Sequence, residues 1–124
     1  MKELVLKKCL KCGALVKVIE DCNCENCGIT CCNEKMVVVR PNSVDAAFEK
    51  HVPNYEEKDG KIIATVNHVM EEDHYIEWIA FVGENKEETV YLKPGEEARV
   101  EFSKMKGKIY SYCNKHGLWV KEID

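Results

Sequence analysis

"ARVEFS", residues 98–103, alternates without interruption: Ala98, Val100 and Phe102 fall on one side of an extended chain, Arg99 and Glu101 on the other. A period of two is the mark of a strand with one buried face and one wet face. The same reading extends outward. "KIIATVNH" (61–68) places Ile62, Ala64, Val66 and His68 on one face. "HYIEWIAFVG", "ETVYL", "KIYSYC" and "LWVKEI" continue the series, separated by turn signals at Lys58-Asp59-Gly60, Gly83-Glu84-Asn85, Lys93-Pro94-Gly95 and Lys106-Gly107. About seven short strands in such a span predict an antiparallel β-sandwich or barrel. "SVDAAFEKH" (43–51) is the one helical turn expected, with Ser43 as its cap and Pro53 limiting its length.

The first third of the chain has a different composition. Residues 1–38 hold seven of the eight cysteines, no histidine and no aromatic residue. So short a segment buries too little apolar surface to fold unaided, and a metal is the expected staple. Arg40-Pro41-Asn42 reads as the turn that ends it. The 124 residues carry a net charge of -4 and a pI near 5.6, which argues against a nucleic-acid partner. No stretch is apolar enough to span a bilayer, and "MKELVLKKCLKCG" lacks the apolar core of a secretory signal. A cytoplasmic protein is the expectation, and there a dense cysteine cluster points to metal rather than to disulfides.

Cys9-x2-Cys12 is a knuckle that presents two thiolates to one ion from a single turn. The second pair is open. Cys24 and Cys27 have the conventional spacing; Cys31 and Cys32 are adjacent, and adjacent side chains of an extended strand face opposite ways. Cys22 is a further spare. A tetrahedral S4 site suits zinc or iron. The remaining thiol, Cys113, lies three residues from His116 and far from the others. Alone this pair is weak; a buried structural cysteine is the commoner case. With His51, His68 and His74 it becomes a possible five-ligand His4Cys site, which would leave an octahedral position open for chemistry.

On these residues the sequence resembles a family. "FEKHVPNYE", "NHVMEEDHYIEW" and "YCNKHGLW" resemble the three signature segments of superoxide reductases, and "CLKCGALVKV" with "ITCCNEKMVVV" resembles the desulforedoxin-type domain. The combination is that of the desulfoferrodoxins, two-iron superoxide reductases. The resemblance implies a desulforedoxin-like metal-binding domain over residues 1–38. It implies an immunoglobulin-like catalytic β-sandwich over 39–124, within a homodimer. It implies His51, His68, His74 and His116 as equatorial ligands of a catalytic iron and Cys113 as its axial thiolate. Glu49 and Lys50 match the family's Glu-Lys pair. Cys9, Cys12, Cys31 and Cys32 would hold a second iron as an FeS4 centre. The implied activity is one-electron reduction of superoxide to hydrogen peroxide, with electrons from a donor such as rubredoxin, and with neither nucleic acid nor membrane as partner. The chain departs from the family in the longer segment between Cys12 and Cys31, with its three extra cysteines, and in Val69, where the family commonly has proline. The rival readings are a zinc-binding interaction module, a plain electron carrier, and a superoxide dismutase, which would also evolve dioxygen.

Overall fold

The computed structural model describes residues 3–43, 46–47 and 50–123. It is all β among these residues and divides into two compact units. The smaller runs from Leu4 to Arg40; the larger takes in Glu3 and the chain from Pro41 onward.

The small unit is a three-stranded antiparallel sheet, β2 (Leu15–Lys17), β1 (Leu6–Lys8) and β5 (Val37–Val39) in that order, plus a tight hairpin of β3 (Thr30–Cys31) and β4 (Glu34–Lys35). Its buried apolar side chains include Leu4, Leu6, Cys9 and Met36. That small set agrees with the expectation that the segment needs a staple.

The large unit is an antiparallel sandwich of the immunoglobulin-like kind. One sheet has the order β10 (Arg99–Ser103), β7 (Lys61–Thr65), β6 (Asn54–Lys58). The other has the order β12 (Gly117–Ile123), β11 (Gly107–Cys113), β8 (Ile76–Val82), β9 (Glu87–Tyr91). Ala98, Val100 and Phe102, the three predicted from alternation, join Ile62, Ala64 and Val66 against Ile76, Ile79, Phe81, Ile109, Cys113 and Ile123 of the facing sheet. β7 is buried on both sides, since Ile63 is buried as well, as suits the middle strand of its sheet. β6, Asn-Tyr-Glu-Glu-Lys, was not among the strands expected from sequence. It is an edge strand with Tyr55 as its one half-buried side chain, so it carries no apolar alternation to read.

An irregularity in the pairing of β11 with β8 matters for the site. Tyr112 pairs with Trp78, but the next residue, Cys113, pairs with Ile76, so the ladder skips Glu77. The bulge shifts the side-chain alternation by one residue. Ile76 and Ile79, which a regular strand would send to opposite faces, both reach the core. Of the helical turn expected over 43–51, residues 44, 45, 48 and 49 lie outside those described. At its end the Lys50 amide donates to the Ala47 carbonyl at 3.1 Å. No helix among the described residues is long and apolar enough to cross a membrane.

Candidate metal centres

The five ligand candidates of the large unit come from three connections at one end of the sandwich. His51 precedes β6, His68 follows β7, His74 leads into β8, and Cys113 and His116 flank the turn from β11 to β12. Each connection is locked. Glu71 and His74 exchange backbone hydrogen bonds of 3.0 and 3.2 Å, closing the turn before β8. Asn114 receives the Tyr75 amide on Oδ1 at 3.0 Å and donates from Nδ2 to the Asp73 carbonyl at 2.9 Å, so it grips both neighbours of His74. The buried Ser111 hydroxyl donates to the His51 carbonyl at 2.8 Å. Gly117, at φ 79°, supplies the left-handed step that returns the chain into β12.

The four imidazoles form a closed ring. Centroid separations are 4.7 Å from His51 to His68, 4.7 Å from His68 to His74, 5.1 Å from His74 to His116 and 4.8 Å from His116 back to His51. All four pairs meet edge to face. The Cys113 sulfur, wholly buried, lies 3.5 Å from His68 Nε2 and 3.8 Å from His116 Nδ1. His68, His74 and His116 keep partial exposure, so the sulfur occupies the inner side of the ring. Donor atoms of all five residues fall within 4.8 Å of one another.

The hydrogen-bond partners decide which nitrogen faces the centre. His51 Nδ1 donates to the Ala47 carbonyl at 2.7 Å, and His68 Nδ1 donates to the Val69 carbonyl at 2.6 Å. Each ring is thereby held as the Nδ1–H tautomer, leaving the Nε2 lone pair free. His51 Nε2 stands 3.0 Å from His116 Nδ1. With His51 Nδ1 already donating to Ala47, His51 Nε2 keeps its lone pair on the side of His116 Nδ1, and two such nitrogens this close can share one cation. His74 Nε2 is buried and has no hydrogen-bond partner among the described residues, an orphan that a metal bond would satisfy. Burial holds the His68 pKa below its ordinary value, which favours the neutral ligand form. The donor set of four imidazoles and one thiolate fits a divalent transition metal such as iron.

In the small unit the structure brings together Cys9, Cys12, Cys31 and Cys32, again within 4.8 Å. The knuckle is closed by Gly13, whose amide donates to the Cys9 carbonyl at 2.9 Å from a left-handed φ of 82°. The Cys12 amide points at the Cys9 sulfur at 3.5 Å and lowers that thiol's pKa to about 7. Adjacency of Cys31 and Cys32 proves no obstacle, because Cys32 is not extended. Cys32 and Asn33 both have positive φ, 53° and 60°, forming the two-residue turn between β3 and β4. That turn curls Cys32 back until its sulfur is 3.9 Å from Cys31, itself 3.6 Å from Cys12. The crowding pushes the Cys31 thiol up to about 12, chiefly through Cys12 and then Cys9. Four sulfurs so close cannot all ionise without a cation, and a tetrahedral metal resolves the conflict. Cys24 and Cys27, the rival pair, stand outside this set.

The two groups comprise the nine ligand candidates that the family resemblance implies; the residues that hold them, Ser111, Asn114 and Trp119, were not expected from the sequence. Trp119 is fully buried, stacks on His51 at 4.9 Å, and donates from Nε1 to the His116 carbonyl at 3.2 Å. Lys50 is exposed immediately before His51. Glu49 lies outside the described residues.

A two-sheet sandwich with a His4Cys ring at one end, preceded by a four-cysteine unit, defines a class of non-haem metalloprotein. The chain belongs to the desulfoferrodoxin family: the model of that family, described as Desulfoferrodoxin, matches residues 43–122. It is 41% identical to the desulfoferrodoxin of Desulfarculus baarsii, covering 98% of each chain. It is 38% identical to that of Syntrophotalea carbinolica, again covering 98% of each. Among solved structures it is similar to the superoxide reductase from Treponema pallidum, with a TM-score of 0.74 and 25% identity over 98% of this chain and 100% of that one.

Proposed function

We propose that the chain is a superoxide reductase, converting superoxide to hydrogen peroxide with one electron and two protons and releasing no dioxygen. The observation that carries this is the closed ring of four imidazoles over a buried thiol, with two rings tautomer-locked and His74 Nε2 left unpartnered. An iron held by this set would supply the single electron and Lewis-acid character toward the anionic substrate. His51, His68, His74, His116 and Cys113 are its ligands in this reading. Cys113 contributes an anionic sulfur on the buried side, beyond the reach of water. Asn114, Ser111 and Trp119 hold the ring's shape so that little reorganises during turnover. Glu49 and Lys50 form the catalytic pair in this reading: Glu49 would supply a carboxylate to the metal, and Lys50 would attract the anionic substrate.

Residues 1–38 serve as the desulforedoxin-like domain and 39–124 as the catalytic one. Cys9, Cys12, Cys31 and Cys32 hold a second iron that accepts electrons from a donor such as rubredoxin. The protein works as a cytoplasmic homodimer. The deciding experiment is iron content per chain together with superoxide consumption monitored by peroxide and dioxygen electrodes. About two irons per chain and peroxide without dioxygen are expected. A colourless zinc protein would leave the interaction module as the answer, and dioxygen evolution would indicate a dismutase.

Two substitutions refine the assignment. Lys50→Ala is expected to slow the reaction with superoxide about 10-fold at low ionic strength, with the difference shrinking as salt screens the charge. Iron content stays unchanged. Pulse-radiolysis rates equal to wild type at low salt would remove Lys50 from the steering role. Separately, Cys31→Ser or Cys32→Ser is expected to abolish the visible absorption of the second centre, while Cys24→Ser leaves it intact. The reverse pattern would transfer ligation to the Cys24–Cys27 pair.

A further inference from the structure

Cys22, Cys24 and Cys27 belong to neither ligand set, yet they cluster. They occupy the connection from β2 to β3, which is pinned at its start. The buried Lys7 of β1 pairs with Asp21 at 2.7 Å, and the other Asp21 oxygen accepts the Cys22 amide at 2.8 Å. Asn26, in the left-handed region at φ 58°, turns the chain back. Cys27 then brings its sulfur 2.7 Å from that of Cys22 and 2.8 Å from the Cys24 carbonyl. The sulfur–sulfur approach is well inside ordinary non-bonded contact, though the two thiols are free and stand outside the ~2.05 Å of a formed disulfide. Cys22 and Cys24 are exposed and Cys27 half-exposed, so small oxidants reach them.

We propose that Cys22 and Cys27 form a redox-active dithiol that reduces hydrogen peroxide and closes to a disulfide. The Cys27 thiolate attacks one peroxide oxygen, the O–O bond breaks, and hydroxide leaves to become water. Cys27 is now a sulfenic acid. The Cys22 sulfur attacks Cys27, the S–O bond breaks, a second water departs with the Cys22 proton, and the S–S bond forms. Two thiols are oxidised by two electrons and one peroxide is reduced to two waters. The electrostatics divide the roles in the same way. The contact with the Cys22 side chain, then that with Cys24, holds the Cys27 thiol below its ordinary pKa, while the same Cys22–Cys27 contact pushes the Cys22 thiol up to about 11. Only the local source of peroxide rests on the superoxide reductase reading.

The test uses the full iron-loaded chain, reduced under anaerobic conditions, with hydrogen peroxide added directly. Failure of this site is therefore distinguishable from failure to make peroxide from superoxide. After a few equivalents of peroxide and alkylation, peptide mapping is expected to show Cys22 linked to Cys27 and Cys24 alkylated, with the absorption of the four-cysteine centre retained. Cys22→Ser is expected to leave a dimedone-trappable sulfenic acid on Cys27, and Cys27→Ser to leave Cys22 alkylatable, both with undiminished superoxide reduction. The proposal is overturned if Cys22 and Cys27 remain alkylatable while the four-cysteine centre bleaches. It is equally overturned if wild-type protein carries an additional metal ion per chain that Cys22→Ser loses.

Discussion

Replacement of Cys113 by serine is expected to erase the sulfur-to-iron charge-transfer absorption of the oxidised catalytic centre and to lower superoxide reduction on the order of 100-fold or more. The sulfur is wholly buried, on the inner side of the histidine ring. A thiolate there is an anion without water, and a cation in the ring is its counter-charge. Serine is smaller and at neutral pH is not ionised, so it supplies neither the charge nor the polarisable donor. The four imidazoles remain, two of them locked by the Ala47 and Val69 carbonyls, so weakened metal binding rather than complete loss is expected. Absorption spectra with parallel iron analysis separate the two effects. A charge-transfer band that survives the substitution in iron-loaded protein would exclude Cys113 as the ligand.

Trp119→Ala is expected to cost about 3–5 kcal/mol of folding stability, the range for removing a large buried aromatic side chain. Against a total of roughly 5–15 kcal/mol for a domain, that is a large fraction. The effect extends to the site, because Trp119 does two things for the histidines. Its ring stacks on His51 with an interplanar angle of 24°, and its Nε1–H donates to the His116 carbonyl. Thermal unfolding of the metal-free protein should show the midpoint falling by more than about 10 °C. Trp119→Phe separates the contributions: it keeps much of the stacking volume and loses the hydrogen bond. Wild-type metal affinity in the Phe variant alongside a weakened Ala variant would assign the positioning role to packing. Equal stability of the Ala variant and wild type would remove Trp119 from the core altogether.

Much of this molecule is legible in its residues, for reasons that differ by region. Strands with one wet face announce themselves by alternation, and β10 does so completely. β6 does not, because an edge strand with Asn54, Glu56, Glu57 and Lys58 exposed has no buried row to alternate. β8 is buried almost throughout, and its bulge at Glu77 has no signature in side-chain pattern; it exists only in the pairing with β11. The supporting residues were invisible for a related reason. Ser111 within a strand and Asn114 in a turn are ordinary in those places, and their partners lie 60 and 41 residues away.

The cysteines show the boundary most clearly. Composition alone pointed to a staple for the first third of the chain, with a metal as the expected one, since seven thiols and no aromatic residue in so short a segment leave little else to hold it. Residue types and resemblance pointed to four histidines and one distant cysteine as a second, different site, and the structure gathers those five residues. Which thiols share an ion was a matter for the tertiary structure. Spacing favoured Cys24 and Cys27, and strand geometry counted against Cys31 and Cys32. Two consecutive left-handed residues, Cys32 and Asn33, reverse that preference by turning the second sulfur back beside the first. Backbone φ is not written in composition or spacing. It emerges from the hairpin that β3 and β4 close, and it leaves Cys22, Cys24 and Cys27 outside the four-sulfur set, with chemistry of their own.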